Sequence, residues 1–386
     1  MSFINMTVLS HGKTIRDEFL FPDAEYEVRL EKINGFIKKK GLDGILLYSD
    51  SLTRGNVSYL SGFSNFLAWS VSMVILPKDG KPTLLATIAP RDVEFTSKLL
   101  PGFVDVVSAG LSLVSNEHIS VKAIEYMQEK GLISSGKWGC VNFGRLPHMA
   151  VTPWRDVFPD GLMDCTGEYT AIRAIKSEAE IYVISQASSM AKRSVYEYLR
   201  QARPGANEML LSSKIDREQR ISGANSVSIL TDAGKLTDTA LHVPRDRNFE
   251  IGDTVCVFAD IGLQGYHGSF GATKVIGAIG TEQESLFTAA SELMYEKMIN
   301  MSNTKKSIIG QQDSEYRNYT YYTIVNGIGC DTVEYPDQYG CEVEFVPGMA
   351  ISLSLRVKER SIGPVFMSEN FLVTENNLIA MSGPGK

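Results

Sequence analysis

The stretch VFADIGLQGYHGSFGATKVIG, Val257–Gly277, carries one carboxylate, Asp260, on an apolar run. Gly265-Tyr266 and a second apolar run follow, so the segment reads as two strands with alternating side chains. A carboxylate on each strand would clamp a divalent cation and activate a water. The second strand offers Ser269 and Phe270 instead. Tyr266 and His267 must face opposite ways, so only one of them reaches the cavity that Asp260 faces. Other residues able to do chemistry are scattered along the second half. His242, in TALHVPRDR, carries an imidazole, the side chain best suited to moving protons in general acid–base catalysis. Asn326, in VNGIG, can donate and accept hydrogen bonds. Glu334 (DTVEYP) and Glu369 (SENFLVT) are carboxylates, and Ser354 lies in GMAISLSLRV. Arg54 and Arg356 carry the fork that binds carboxylates in bidentate fashion.

The elements that must position these groups change in texture near residue 160. Before it, helices and strands alternate. EYEVRLEKINGFIKKKG has apolar residues at helical spacing (Val28, Leu30, Ile33, Phe36, Ile37) and stops at Gly41. DGILLYS and KWGCVNFG are short apolar runs, and SMVILPKDGKPTLLAT is two strands around a Lys-Asp-Gly turn. This predicts an α/β layer domain over 1–160. After it, a long helical stretch follows, with a capping box at Ser177 and Glu180 and an end at Pro204-Gly205. Then come SVSILTDAG, DTVCVFADIG, ATKVIGAIG, GMAISLSLRV and ENFLVTE, strand-like and separated by turn residues. Helices followed by strands predict an α+β domain over 161–386, with helices outside a curved antiparallel sheet.

The bulk composition excludes several classes. The chain has 386 residues, 44% hydrophobic and 22% charged, with a net charge of −7. That balance argues against nucleic acid and against anionic membranes as partners. No apolar run approaches the roughly 20 residues that span a bilayer. The five cysteines are scattered without a C-x-x-C, which favours a reducing cytoplasm over a disulfide framework. Cys256 reads as core, and Cys330, after GIG, is the one cysteine worth weighing as a site residue.

The order of these segments resembles the pita-bread family of methionine aminopeptidase, aminopeptidase P, prolidase and creatinase. The N-terminal part is similar to the creatinase and prolidase branch through GLDGILLYSDSLTRGNVSYLSGF. The second half matches through IRAIKSEAEI, RPGANEMLL, LHVPRDRNFEIGDTVCVFADIG, NGIGCDTVEYP, VPGMAISL and ENFLVTE. The resemblance implies a C-terminal pita-bread domain preceded by a smaller α/β domain of the creatinase N-terminal type. It implies a homodimer too, with residues near Ser61–Trp69, among them Phe63, Phe66 and Trp69, able to line the partner's pocket.

In the family's metallopeptidases, two metals are held by two Asp, a His and two Glu. Carried over, Asp260 matches the first Asp and Glu369 the last Glu. Ser269, Asn326 and Ser354 stand at the other three positions. Two carboxylates cannot hold a dinuclear cluster, so no metal and no cofactor is expected. His242 matches the His that shuttles protons in creatinase, which works without metal. Asp232 and Tyr335 lie in segments that flank the same cavity in relatives. A metal-free cluster of Asp260, Glu334 and Glu369 would be costly unless one were protonated or paired with a cationic ligand. The expected function is therefore metal-independent hydrolysis of a C–N bond in a small amidine, guanidino or cyclic amide compound. His242, Asp260, Glu369 and Glu334 would be catalytic, and Asn326, His267, Tyr266, Ser354, Arg54 and Arg356 would bind substrate. The alternatives are a non-catalytic module that binds a peptide or protein, and an Xaa-Pro-type metallopeptidase with altered ligands.

Overall fold

The computed structural model describes residues 12–14, 17–65, 70–110, 117–133, 136–235, 240–310, 314–337, 339–359 and 361–383. The chain divides into two compact units, Met1–Arg173 and Ala174–Lys386.

The first unit is α/β. Its elements are β1 (Gly12–Thr14), α1 (Asp23–Lys40), β2 (Gly44–Ser49), α2 (Gly55–Ser61), β3 (Phe63–Asn65), β4 (Ser72–Pro77), β5 (Thr83–Ala86), α3 (Val93–Ser97), β6 (Asp105–Ser108), α4 (Glu117–Glu129), β7 (Trp138–Val141), α5 (His148–Val157), β8 (Met163–Asp164) and α6 (Thr166–Ala174). A mixed sheet runs in the order β6-β5-β4-β2-β7-β8. Its central strand β2 is buried along its whole length, which is why GILLYS carries no alternation. Helix α1 ends at Gly41 in the left-handed conformation, as the sequence predicts. Its buried face differs from the predicted one. Val28 is exposed and Arg29 is buried, its guanidinium within 5.3 Å of the Phe21, Tyr26 and Tyr59 ring centres and bonded to the Tyr59 carbonyl.

The boundary at 160/161 needs moving. β8 pairs in parallel with β7, Tyr169 Oη donates to the Asn56 carbonyl at 2.7 Å, and Arg173 bonds the Asn56 side chain at 2.6 Å. These polar ties seat residues 163–173 on the first unit.

The second unit is α+β. It comprises α7 (Glu178–Gln201), α8 (Glu208–Ile221), β9 (Ser226–Gly234), β10 (Thr254–Leu263), β11 (Tyr266–Val275), α9 (Thr281–Thr304), β12 (Lys306–Ile308), β13 (Ser314–Tyr316), β14 (Tyr319–Gly327), β15 (Glu342–Glu344), β16 (Ala350–Glu359), β17 (Gly363–Val373) and β18 (Leu378–Ala380). The predicted capping box starts α7: Ser177 Oγ accepts from Glu180 N, and Glu180 accepts from Ser177 N. An antiparallel sheet runs β13-β14-β16-β17-β11-β10-β9, with β18 beside β17.

Alternation gives that sheet two distinct faces. Val255, Val257, Ala259 and Ile261 of β10 pack with Met190, Ala191, Val195 and Tyr198 of α7. Leu355, Val357 and Val365 pack with Leu286, Ala290 and Leu293 of α9. The opposite face carries Cys256, Phe258 and Asp260 on β10, with Asp232, Leu230 and Ser228 beside them on β9. It continues through Thr273, Gly271, Ser269 and His267 on β11, Ser368 and Phe366 on β17, and Ser354 and Arg356 on β16.

That polar face is concave. Arg356 pairs with Phe366, Thr273 bonds both main-chain groups of Phe366, and Cys256 pairs with Thr273 and with Asp232. Arg356 and Asp232 thus stand four strands apart in one row, about 19 Å along a flat sheet. Their side chains nevertheless meet at 2.8 Å, so the sheet curls around the cavity they share.

Candidate active site

The cavity is built from three rows of side chains across the curled sheet. In the first, Arg356 Nη2 donates to Asp232 Oδ2 at 2.8 Å, with both residues buried. His242, held beside β9 by two main-chain bonds to Thr231, brings Nε2 to 4.0 Å from Asp232 Oδ1. Its Nδ1 lies 2.8 Å from the Val243 carbonyl. A carbonyl can only accept, so Nδ1 carries the proton, and Nε2 of the neutral ring presents a lone pair. Among the described residues, neither His242 Nε2 nor Arg356 Nη1 has a hydrogen-bond partner, and both atoms are buried. Each unpaired buried group of this kind costs about 1–3 kcal/mol. Cys256, in the same row, is core as expected: burial pushes its thiol up to about 11, so it stays protonated at neutral pH.

The second row is Ser354, Ser368, Gly271 and Phe258. The Ser354 and Ser368 hydroxyls lie 2.8 Å apart. The Phe366 ring covers Gly271, where a Cβ would collide with it, and meets Phe258 edge-on at 6.2 Å between centroids.

The third row holds Asp260 opposite Ser269. Asp260 accepts from His267 Nδ1 at 2.7 Å and from Thr332 Oγ1 at 3.4 Å. Alternation sets the two neighbours on β11 apart. His267 shares a face with Asp260, while Tyr266 is buried on the other. Ser269 is held by Asn370, whose side-chain oxygen accepts from Ser269 N at 2.6 Å and from Ser188 Oγ at 2.9 Å. Asn326 turns its amide to the Gly327 carbonyl at 2.7 Å.

Two of the expected catalytic carboxylates lie elsewhere. Glu369 follows Ser368 on β17, so its side chain points to the helix side of the sheet. There it accepts from Ser382 Oγ at 2.5 Å and from Asn370 N at 2.9 Å, and burial raises its pKa. Ser368 faces Ser354 in its place. Glu334 is tied into a buried ion pair, 2.7 Å from Lys176 Nζ, and accepts from Asp331 N at 3.0 Å. The acidic cluster of Asp260, Glu334 and Glu369 therefore does not form, and the argument for a cationic substrate falls with it. Arg54 belongs to the first unit, where its Nε donates to the Ser51 carbonyl at 2.8 Å. Phe63 is buried in that unit, whereas Phe66 and Trp69 lie outside the described residues.

The partners Ser368, Asn370, Thr332 and Lys176 were not singled out in the sequence. Ser368 was within reach of it, since a shift of one residue in the alignment of SENFLVT exchanges Ser368 for Glu369.

Residues 183–375 match metallopeptidase family M24, half of the chain. The chain belongs to metallopeptidase family M24. Over 371 residues it is 20% identical to the uncharacterized peptidase YqhT of Bacillus subtilis, covering 90% of this chain and 96% of that one. It is 25% identical over 219 residues to an Xaa-Pro dipeptidase of Pyrococcus horikoshii, covering 53% of this chain and 61% of the relative. The prolidase structure from Pyrococcus horikoshii superposes with a TM-score of 0.72 at 19% identity, over 93% of this chain and 99% of that one. The C-terminal unit is thus the pita-bread fold of the M24 family, with a smaller α/β unit before it, and M24 relatives named as peptidases support a hydrolase.

The M24 metal pair does not fit the side chains present. Carried over from the resemblance, its five positions would fall on Asp260, Ser269, Asn326, Ser354 and, in place of Glu369, its neighbour Ser368, which faces Ser354 across the strands. Hydroxyls and a carboxamide are poor donors for Mn²⁺, Zn²⁺ or Co²⁺ beside carboxylate and imidazole. Asp260 already serves His267. Among the described residues no three His, Cys, Asp or Glu are grouped to hold a metal ion.

Proposed function

We propose that this M24 protein hydrolyses a C–N bond in a small molecule without a metal, with His242 moving the proton. The observation that carries the reading is the donor set: four of the five ligand positions hold Ser269, Asn326, Ser354 and Ser368. The tautomer of His242 supports the rest. With its proton on Nδ1, Nε2 takes a proton from water as the oxygen attacks carbon, then returns it to the leaving nitrogen. The C–O bond forms, the C–N bond breaks, and no other reactant is needed. Arg356 Nη1 is a donor suited to the oxygen on which negative charge develops. The amidine and guanidino substrates lose their motivation with the acidic cluster, and the cyclic amide remains.

The names of the relatives favour a second reading, an Xaa-Pro-type metallopeptidase with altered ligands. Metal content of protein purified without chelator, together with melting curves in Mn²⁺, Zn²⁺ and Co²⁺, separates the two. A metal at a hundred times its Kd stabilises by about 2.7 kcal/mol. Stoichiometric metal or a clear rise in Tm restores the metallopeptidase. Hydrolysis of a small amide by metal-free protein, lost in His242→Ala, supports our reading, and a complete screen without turnover leaves a binding module.

We also read the protein as a cytoplasmic homodimer. All five cysteines are free thiols, which supports a reducing compartment. Among the described residues no helix is long and apolar enough to cross a membrane. Light scattering on the purified chain tests the dimer: a monomer mass would refute it.

A further inference from the structure

We infer that Arg356 and His242 together read the edge of a cis amide, so that the substrate is a lactam or cyclic imide. The inference rests on the proposed function and narrows it to one substrate class.

The two groups leave one donor and one acceptor beside the same carboxylate. Arg356 Nη2 is committed to Asp232, at 2.8 Å, and Nη1 of the same rigid fork remains as a buried donor with no partner among the described residues. His242 Nδ1 is committed to the Val243 carbonyl, at 2.8 Å, and Nε2 remains as a buried acceptor in the same condition. Both stand beside one carboxylate, because Nε2 lies 4.0 Å from Asp232 Oδ1. Asp232 neutralises the guanidinium, so the pair asks for a hydrogen-bonding pattern and not for a net charge.

A ligand that satisfies both must present an acceptor and a donor on the same side. A carboxylate has acceptors only and would set a lone pair against Nε2. A guanidinium or amidinium has donors only and would oppose Arg356. An open-chain secondary amide is trans, with its C=O and N–H on opposite sides. A ring that contains the amide forces it cis and puts both on one edge. A primary amide offers the same edge, but the aromatic side chains beside Arg356 favour a ring. Phe366 is paired with Arg356 across the strands, and its ring meets Phe258 edge-on, which gives a flat apolar body a surface to lie on.

The test is a titration of the full chain with 2-pyrrolidinone and succinimide, against their N-methyl derivatives, N-methylacetamide and acetamide, followed by ligand-observed NMR. The cyclic N–H compounds should bind at least tenfold tighter than all the others. In His242→Ala, which removes the acceptor, the preference for N–H over N-methyl should disappear. Equal affinity for N–H and N-methyl rings, or no saturable binding of either cyclic N–H compound, overturns the inference. Ring opening is followed in the same tubes. Hydrolysis that requires His242 but ignores N-methylation keeps the proposed activity and removes the cis-amide edge. Selective binding without hydrolysis keeps the edge and removes the activity.

Discussion

Ser354 and Ser368 face each other across β16 and β17 with hydroxyls 2.8 Å apart, at the two positions where our proposed reading sets carboxylate ligands of the family.

The double variant Ser354→Glu/Ser368→Glu puts two carboxylates against each other in a largely buried place. Without cation it should be destabilised by about 3 kcal/mol or more, and Mn²⁺ should restore part of the loss. Denaturant melts with and without Mn²⁺ measure this. A variant as stable as the parent and indifferent to Mn²⁺ would show that the two positions do not converge.

His242→Ala should lower kcat/KM by about 10²- to 10⁴-fold on any amide that the parent hydrolyses. His242 is half-buried and, among the described residues, its ring hydrogen-bonds the carbonyl of its own neighbour, so stability should change by less than about 1 kcal/mol. A large loss of stability would make it a structural histidine.

Lys176 and Glu334 form a buried pair at 2.7 Å. Lys176→Met strands the carboxylate and should cost about 3–5 kcal/mol. Adding Glu334→Gln keeps an acceptor for Asp331 N and removes the charge, so the double variant should regain at least half. No recovery in the double variant would mean that Lys176 acts through packing alone.

Burial raises the pKa of Glu369 above its ordinary value. The folded state therefore holds that proton more tightly than the unfolded chain does. The resulting stability is full below the ordinary carboxyl range and is lost as pH rises through the raised value. Glu369→Gln should match the parent at pH 4 and melt higher than the parent at pH 7. The reverse order at pH 7 would show that the ionised carboxylate is satisfied where it lies.

The sequence made the fold and the family legible through the order of its motifs, and it named Asp260, His242, His267 and Arg356, which the structure gathers on or beside one face of the sheet. It failed where a single residue of register decides the face. In SENFLVT the glutamate looks like the natural ligand, but the neighbouring serine points inward and the glutamate outward. It also could not pair Arg356 with Asp232, because that bond depends on the curl of strands far apart in order. Lys176 hid at a helix entry, where a lysine normally meets solvent.

The aromatic cover over Gly271 has a consequence for how this cavity can be changed. A side chain at 271 would collide with the Phe366 ring and come within 3.1 Å of Ser368 Cβ, so the two positions share one volume. A library that varies one position at a time would reject bulk at 271 and leave a void at 366. A paired exchange would move that bulk from one strand to the next, reshaping the cavity floor while keeping it filled.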